Sequence, residues 1–375
     1  MSQKKKLKKI AFVKIGSFSN TNQSVLNLLK KEFPNYQVDV IDIFEEIAQP
    51  KTMRNLFYAI KEHGIKALFS KINLYKCMVQ NEYIFKLVKK GVFNYIEPSE
   101  YAFTFQTQSL FDTSIEGIPN FVYTDNTTKA TSLYPDFDVK KELWSNEWFA
   151  CEKSIYHNAT VNFTMSEDIS RSMIQDYGCD PDRVVCAGVA PNANIPSQIT
   201  TIEDRFQYIN ILFVGKDWEP KGGPILLEAF QNILKIHPEA KLTIVGCSPD
   251  INVPNCTVAG RVPVSKVGDY FAEASIFCLP THREAFGIVY LEAMAYSLPV
   301  IGSNIGAIPE FVCEGKNGYL VQPNNVEELT TKLLQLIESP EQCKAFGLVG
   351  RELFLKKYTW DKVGQIMREQ IVSYL

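Results

Sequence analysis

The chain has 375 residues, 46% of them hydrophobic and 22% charged, enough for about two folded domains with a sizeable core. A formal charge of −3 and a pI near 5.9 exclude nucleic-acid binding through a basic face that dominates the protein. Nine cysteines with no CxxC pair exclude the common zinc and redox spacings and point to a reduced cytosol, and no apolar run reaches the length of a spanning helix or forms a signal segment.

In chain order, short β-branched runs alternate with amphipathic segments, the pattern of strands joined by crossover helices into parallel sheets. Lys4, Lys5, Lys6, Lys8 and Lys9 open the chain, and strands are predicted at KIAFVKIG (9–16), YQVDVIDI (36–43), NFVYT (120–124) and TVNFTMS (160–166). Residues 51–93 hold nine Lys or Arg against Glu62 and Glu82, a net +7. The plain reading of such a run is a solvated face. Leu56, Phe57, Leu68, Phe69, Leu74 and Tyr75 interleave with the lysines, however, as on an interfacial surface attracted to anionic lipid headgroups or to a phosphate-bearing acceptor.

AGVAPNANIPSQITTIEDRF (187–206) is rich in Pro, Asn, Ser and Thr and poor in periodicity, which places the boundary between a first domain, 1–193, and a second, 194–358. Six more strands follow at 208–215, 240–246, 255–262, 275–281, 298–303 and 317–323. A helix over 223–237 repeats Leu226, Leu227, Phe230, Ile233 and Leu234 at helical spacing. Residues 326–375 read as a helical tail, interrupted at Ser339-Pro340 and at Tyr358-Thr359, where Thr359 caps a last helix from Trp360.

In doubly wound sheets the ligand lies beyond the carboxyl ends of the strands. There this sequence places Gly215, Lys216 and Lys221-Gly222-Gly223 after one strand, and EAFGIVYLE (284–292) after another. A helix starting near Phe286 offers unpaired N–H groups on Phe286, Gly287, Ile288 and Val289 at its positive end, with Gly287 allowing close approach and two lysines nearby. A pyrophosphate fits that description; surface lysines and a packing glycine are the plainer one. Glu284 and Glu292 are eight positions apart, which on a helix leaves them roughly 80° apart, poor geometry for sharing one proton. They are expected to do separate jobs, Glu292 binding a ribose diol and Glu284 the group on the far side of the phosphates.

The segments GKDWEPKGG, PTHREAFGIVYLEAMAYSLPVIGSNIGAIPE and KNGYLVQP resemble a retaining glycosyltransferase of family 4, over residues 208–340. The resemblance implies an α/β GT-B fold: two Rossmann-like doubly wound domains facing across a cleft, the first for the acceptor and the second for the donor, with a C-terminal helix (359–375) packing back on the first. It implies that Lys216, where the family often has Arg, and Lys221 neutralise the donor diphosphate. Glu284 would bind sugar hydroxyls and Glu292 the ribose, the N–H groups at 286–289 would serve sugar and phosphates, and the strand end at Gly260, Arg261 and Val262 would meet the base. In the first domain Gly16 stands where members often have paired glycines; Asp125 matches, and Asn126 takes the place of a frequent histidine.

The activity implied is transfer of a hexose from a nucleotide diphosphate sugar, UDP-hexose by family frequency, to a saccharide or lipid-linked oligosaccharide in polysaccharide assembly. The acceptor attacks from the leaving-group side, so no enzyme nucleophile, cofactor or metal is expected. The D-x-D matches Asp136/Asp138 and Asp180/Asp182 are read as turns, and His282 as structural. A sugar-nucleotide 2-epimerase of similar fold and a non-catalytic nucleotide-sugar scaffold are the competing readings. The expected location is cytoplasmic, peripheral on an anionic membrane surface through 51–93.

Overall fold

The computed structural model describes residues 8–64, 74–135, 137–138, 145–193, 195 and 204–375. Lys4, Lys5, Lys6, Lys66, Leu68, Phe69, Lys71, Asp136 and, in the expected boundary segment, residues 194 and 196–203 lie outside the described residues.

Two six-stranded sheets carry the fold. The first comprises β1 (Lys9–Lys14), β2 (Gln37–Asp42), β3 (Tyr101–Thr107), β4 (Asn120–Thr124), β5 (Val161–Thr164) and β6 (Val184–Cys186), in the order β2-β1-β3-β4-β5-β6. The second comprises β7 (Asn210–Val214), β8 (Lys241–Val245), β9 (Cys256–Gly260), β10 (Ile276–Leu279), β11 (Val300–Ser303) and β12 (Gly318–Val321), ordered β12-β11-β10-β7-β8-β9. Every pairing between these strands is parallel, for example Ile211 beside Ile276 and Leu212 beside Phe277. Parallel strands are covered on both faces, which explains why Ile10–Val13 and Ile276–Leu279 are continuous apolar runs, all buried.

All ten expected strands are present, and two were missed, β3 and β6. β3 is central, yet Thr104, Gln106 and Thr107 interrupt its apolar character while lying fully buried. Each is satisfied by a partner brought in by the fold: Thr104 Oγ1 donates to Asn120 Oδ1 at 2.6 Å, Gln106 Nε2 to Phe111 O at 2.7 Å and Thr107 Oγ1 to Asn22 Oδ1 at 2.6 Å.

Between strands, the helix Gly223–Leu234 buries Leu226, Phe230 and Ile233, and ends three residues before the predicted stop at 237 as the chain approaches Pro238. The tail forms helices Val326–Ile337, Pro340–Lys357 and Trp360–Val372, with the predicted breaks. Lys362 N–H reaches Thr359 Oγ1 at 3.4 Å, so Thr359 is the expected cap.

The chain divides into two compact units, Met1–Leu133 with Phe137–Gly188 and Val363–Leu375, and Tyr134–Asp136 with Val189–Lys362. The last helix thus returns to the first unit. Val363, Met367 and Ile371 are buried there, and Arg368 donates to Glu32 O with its guanidinium over the Phe33 ring.

Candidate active site

In the second sheet, β8 and β9 lie on one side of β7 while β10, β11 and β12 lie on the other. The strand order therefore reverses between β7 and β10, the position at which doubly wound sheets hold a ligand beyond the carboxyl ends of their strands. The β7 loop closes as a tight turn, with Gly222 N–H donating to Glu219 O at 3.0 Å and Gly223 N–H to Trp218 O at 2.9 Å. Thr281, buried after β10, lies 3.1 Å from Pro220 O through its hydroxyl, and His282 N–H donates to the same carbonyl at 2.9 Å. These bonds tie the two loops together.

The glycine pair is required by shape. Gly222 has φ +74°, and a Cβ there would lie 1.8 Å from Pro280 O; a Cβ on Gly223 would overlap the Trp218 ring. Gly315 also has positive φ (+69°), but its Cβ would meet open space. Gly222→Ala is therefore expected to cost about 2 kcal/mol or more, roughly 4–8 °C in melting temperature, against about 1 kcal/mol for Gly315→Ala. Parallel thermal melts check this, and equal losses would remove the steric argument.

Lys221 Nζ lies 2.7 Å from Glu284 Oε2 and donates to Arg283 O at 3.3 Å. The resemblance had assigned these two residues to different parts of the ligand; the fold pairs them. Lys216, exposed beside the same strand end, has no hydrogen bond or ion pair among the described residues.

The helix after β10 spans Ile288–Ala295, and its N-cap is Gly287 at φ +101°, with no side-chain cap. The N–H groups of Phe286, Gly287, Ile288 and Val289 find no acceptor among the described residues; the first to do so is Tyr290, which donates to Gly287 O at 3.0 Å. Donors in this arrangement face an anion. Glu292 sits one turn further on. It is half-buried, desolvation pushes its carboxyl up to about 7, and its side chain has no hydrogen-bond partner among the described residues.

Three residues that hold this helix went unread in the sequence. Tyr290 is wholly buried, donates its hydroxyl to Leu279 O at the end of β10 and packs against Phe277 and Phe311. At the other end, Arg205 Nη2 donates to Tyr296 O at 2.7 Å and Ser297 O at 2.6 Å, and Arg351 Nη1 donates to Ala295 O. Burial pulls the Arg205 guanidinium down to about 10. Cations at the carboxyl end complement the helix dipole. In the sequence Arg205 is one arginine at the close of a boundary segment, with no local signal of this role.

The remaining expected residues lie at other strand ends. Gly215 follows β7, where a Cβ on Gly246 would come 2.6 Å from its carbonyl; Gly260 has φ +68°, with Arg261 exposed and Val262 half-buried beyond it. Asp180 accepts from Asp182 N–H at 3.1 Å, the turn role expected of it.

Gly16 and Asp125 belong to the first unit. Gly16, at φ +54°, donates its N–H to Asp42 Oδ2 at 3.0 Å and accepts from Asn22 Nδ2 at 2.8 Å, while Asp42 is paired with Lys14 at 2.6 Å. Asp125, half-buried after β4, lines a polar pocket of about 160 Å³ with Ser109, Asn126, Thr128 and Trp148. Asn126 is committed to the turn, its amide donating to Thr131 Oγ1 at 2.9 Å and its carbonyl accepting from Thr127 N–H at 2.8 Å. Under the pocket, Glu152 accepts from the Tyr177 hydroxyl, from Tyr156 at 3.0 Å and from Thr128 N–H at 3.0 Å, and burial raises its pKa.

This arrangement of turn, helix N-terminus and carboxylates has a family. The model for "Glycosyl transferases group 1" matches residues 205–353. Over those residues the chain is similar to the group 1 glycosyltransferases. A GDP-mannose-dependent α-(1-6)-phosphatidylinositol monomannoside mannosyltransferase of Mycolicibacterium smegmatis is 30% identical over 167 residues, 40% of this chain and 44% of that protein. The chain spans about half the length of the curated relatives it matches.

Among solved structures, a sucrose-phosphate synthase of Thermosynechococcus elongatus superposes with TM-score 0.73 at 16% identity, covering 98% of each chain. The Anabaena protein HepE in complex with UDP and glucose superposes with TM-score 0.66 at 14% identity, over 98% of this chain and 100% of that one. These likenesses extend the assignment of fold over the whole chain: it has the GT-B architecture of two Rossmann-like domains, with a group 1 glycosyltransferase segment in the second.

Proposed function

We propose that this protein is a retaining hexosyltransferase that moves a sugar from a nucleotide diphosphate donor, UDP-hexose in the first instance, to a hydroxyl of a saccharide or lipid-linked oligosaccharide. The observation that carries this reading is the set of groups at the switch point between β7 and β10. Among the described residues it combines four uncommitted N–H donors, an uncommitted cation at Lys216, the Lys221–Glu284 pair and a half-buried Glu292 with no hydrogen-bond partner. A diphosphate supplies acceptors for the N–H groups and lysines, and a ribose diol supplies donors for Glu292. Glu284, oriented by Lys221, is left one oxygen for the sugar hydroxyls. Arg261 and Val262 flank the base beyond β9.

In this reading the protein contributes little covalent chemistry. Lys216, Lys221 and the helix N-terminus stabilise the charge that grows on the departing diphosphate, which takes the proton of the incoming hydroxyl. With those charges in place the reaction is proposed to proceed without a metal. The polar pocket beside Asp125 in the first unit suits the acceptor, whose hydroxyls match its threonine, serine and amide lining. UDP is favoured over GDP because the solved relative is in complex with UDP, although the mannosyltransferase relative is named for GDP-mannose.

Thermal unfolding in EDTA with UDP, GDP, ADP and their glucose conjugates tests this, for the wild type and Glu292→Ala. Ligand at one hundred times its dissociation constant adds about 2.7 kcal/mol, roughly 5–10 °C. One nucleotide should give that shift in the wild type and lose it in the variant. No shift with any of them would contradict the donor site, and a shift abolished by EDTA would contradict metal independence.

A further inference from the structure

We propose that the helices Met53–His63, Leu74–Val79 and Glu82–Tyr95 of the first unit form a docking surface for an anionic lipid bilayer. The first two share a small inner core of Ala59, Cys77 and Met78, with Leu56 and Leu74 packed against it. Their outer face is apolar as well. Met53 and Phe57 are 81% and 65% exposed, one helical turn apart, and Lys61 follows one turn later on the same face.

Ring contacts join this face to its neighbours. The Arg54 guanidinium lies 5.4 Å over the Tyr83 ring, Tyr83 stacks on Tyr58 at 4.4 Å, and Tyr58 meets Phe57 edge-on at 5.6 Å. Lys51 lies 5.4 Å over Tyr75. From Tyr83 the outer stripe of the third helix continues through Leu87 and Lys90 toward Phe93, which is 64% exposed.

Charge decides the occupant. From 51 to 95 the only acidic residues are Glu62 and Glu82. Glu62 already accepts from Ser145 Oγ and Glu82 N–H, and Glu82 is paired with Lys86 at 2.7 Å. Lys51, Arg54, Lys61 and Lys90 have no carboxylate partner among the described residues. A second copy of the chain meeting this face with its own would oppose like charges. An anionic headgroup layer accepts the cations, and the acyl boundary beneath takes Met53, Phe57 and Phe93, while tyrosine rings sit at the level between.

This surface gives the lipid-linked reading of the acceptor a physical basis, but its own residues carry it, and all of them are remote in sequence from the donor site. The test is co-flotation of the full chain with phosphatidylcholine vesicles, with and without phosphatidylglycerol, at low and high salt. The wild type should float only with the anionic vesicles, and salt should release it. Lys51→Gln/Arg54→Gln/Lys61→Gln should weaken partitioning on the order of a hundredfold, about fivefold per charge, and Phe57→Ser/Phe93→Ser by at least about tenfold.

Failure of the wild type to float with anionic vesicles would overturn the proposal. So would variants that float like the wild type, or flotation lost only when Lys4, Lys5 and Lys6 are neutralised. The same samples carry the UDP melting experiment. Loss of flotation with the UDP shift intact counts against the docking surface alone, and the converse counts against the donor site alone.

Discussion

Glu292→Gln should make the nucleotide-free protein more stable at pH 8 and at the same time weaken nucleotide binding. Burial raises the Glu292 carboxyl from near 4.5 to about 7 in the folded state. Below the unfolded value the group is neutral in both states and costs nothing. As the pH rises the unfolded chain releases the proton first, so stability falls until the folded carboxyl ionises near 7, and it is level above. At about 1.4 kcal/mol per pKa unit the loss is roughly 3 kcal/mol. Glutamine does not ionise, so the difference between the two proteins should open between those pH values and stay constant above them. Urea unfolding at pH 4 and pH 8 measures it; an equal difference at both would show that the carboxylate is not strained by burial.

The same substitution should weaken UDP binding about 10- to 100-fold, the worth of hydrogen bonds made by a charged rather than a neutral acceptor. On the proposed role of Glu292, in which the ribose diol binds the ionised carboxylate, affinity of the wild type should rise with pH through 7. The stability gained and the binding lost have one cause, a carboxylate held in place for a ligand.

Lys221→Met should lower kcat by about 10²- to 10³-fold with a smaller change in KM, as expected when a group neutralises charge that develops mainly in the transition state. Lys221 also holds Glu284 at 2.7 Å, so the two roles must be separated. Adding Glu284→Gln to Lys221→Met should cost less than the product of the single effects, because part of each loss is the disruption of one pair. If kcat is unchanged in Lys221→Met, the lysine only positions Glu284. If the effects multiply independently, the pair is incidental to the reaction.

Much of the fold was legible because both sheets are parallel and covered on both faces. Strands such as β7 and β10 then appear as unbroken apolar runs between turn residues, and the helices between them keep their apolar spacing. β3 escaped because its buried polar groups are paired with Asn120, Phe111 and Asn22, and no local window shows that Thr104, Gln106 and Thr107 will be satisfied. The turns after β7 and β10 were legible for a different reason. Gly222, Gly287 and the lysine-rich turn are local devices whose backbone requirements are written into residue type.

From the sequence alone came the two-sheet α/β architecture, the positions of the loops after β7 and β10, the break before the last helix and the identity of the two glutamates. The tertiary structure decided what those residues face. Lys221 meets Glu284 from 63 positions away, Arg205 reaches the end of the helix Ile288–Ala295 from 91 positions away, and Glu292 has no hydrogen-bond partner among the described residues, in a place where a charge is costly. Periodicity and turn chemistry depend on neighbours in the chain and are readable there; pairing, capping at a distance and the pKa of a buried acid depend on neighbours in space.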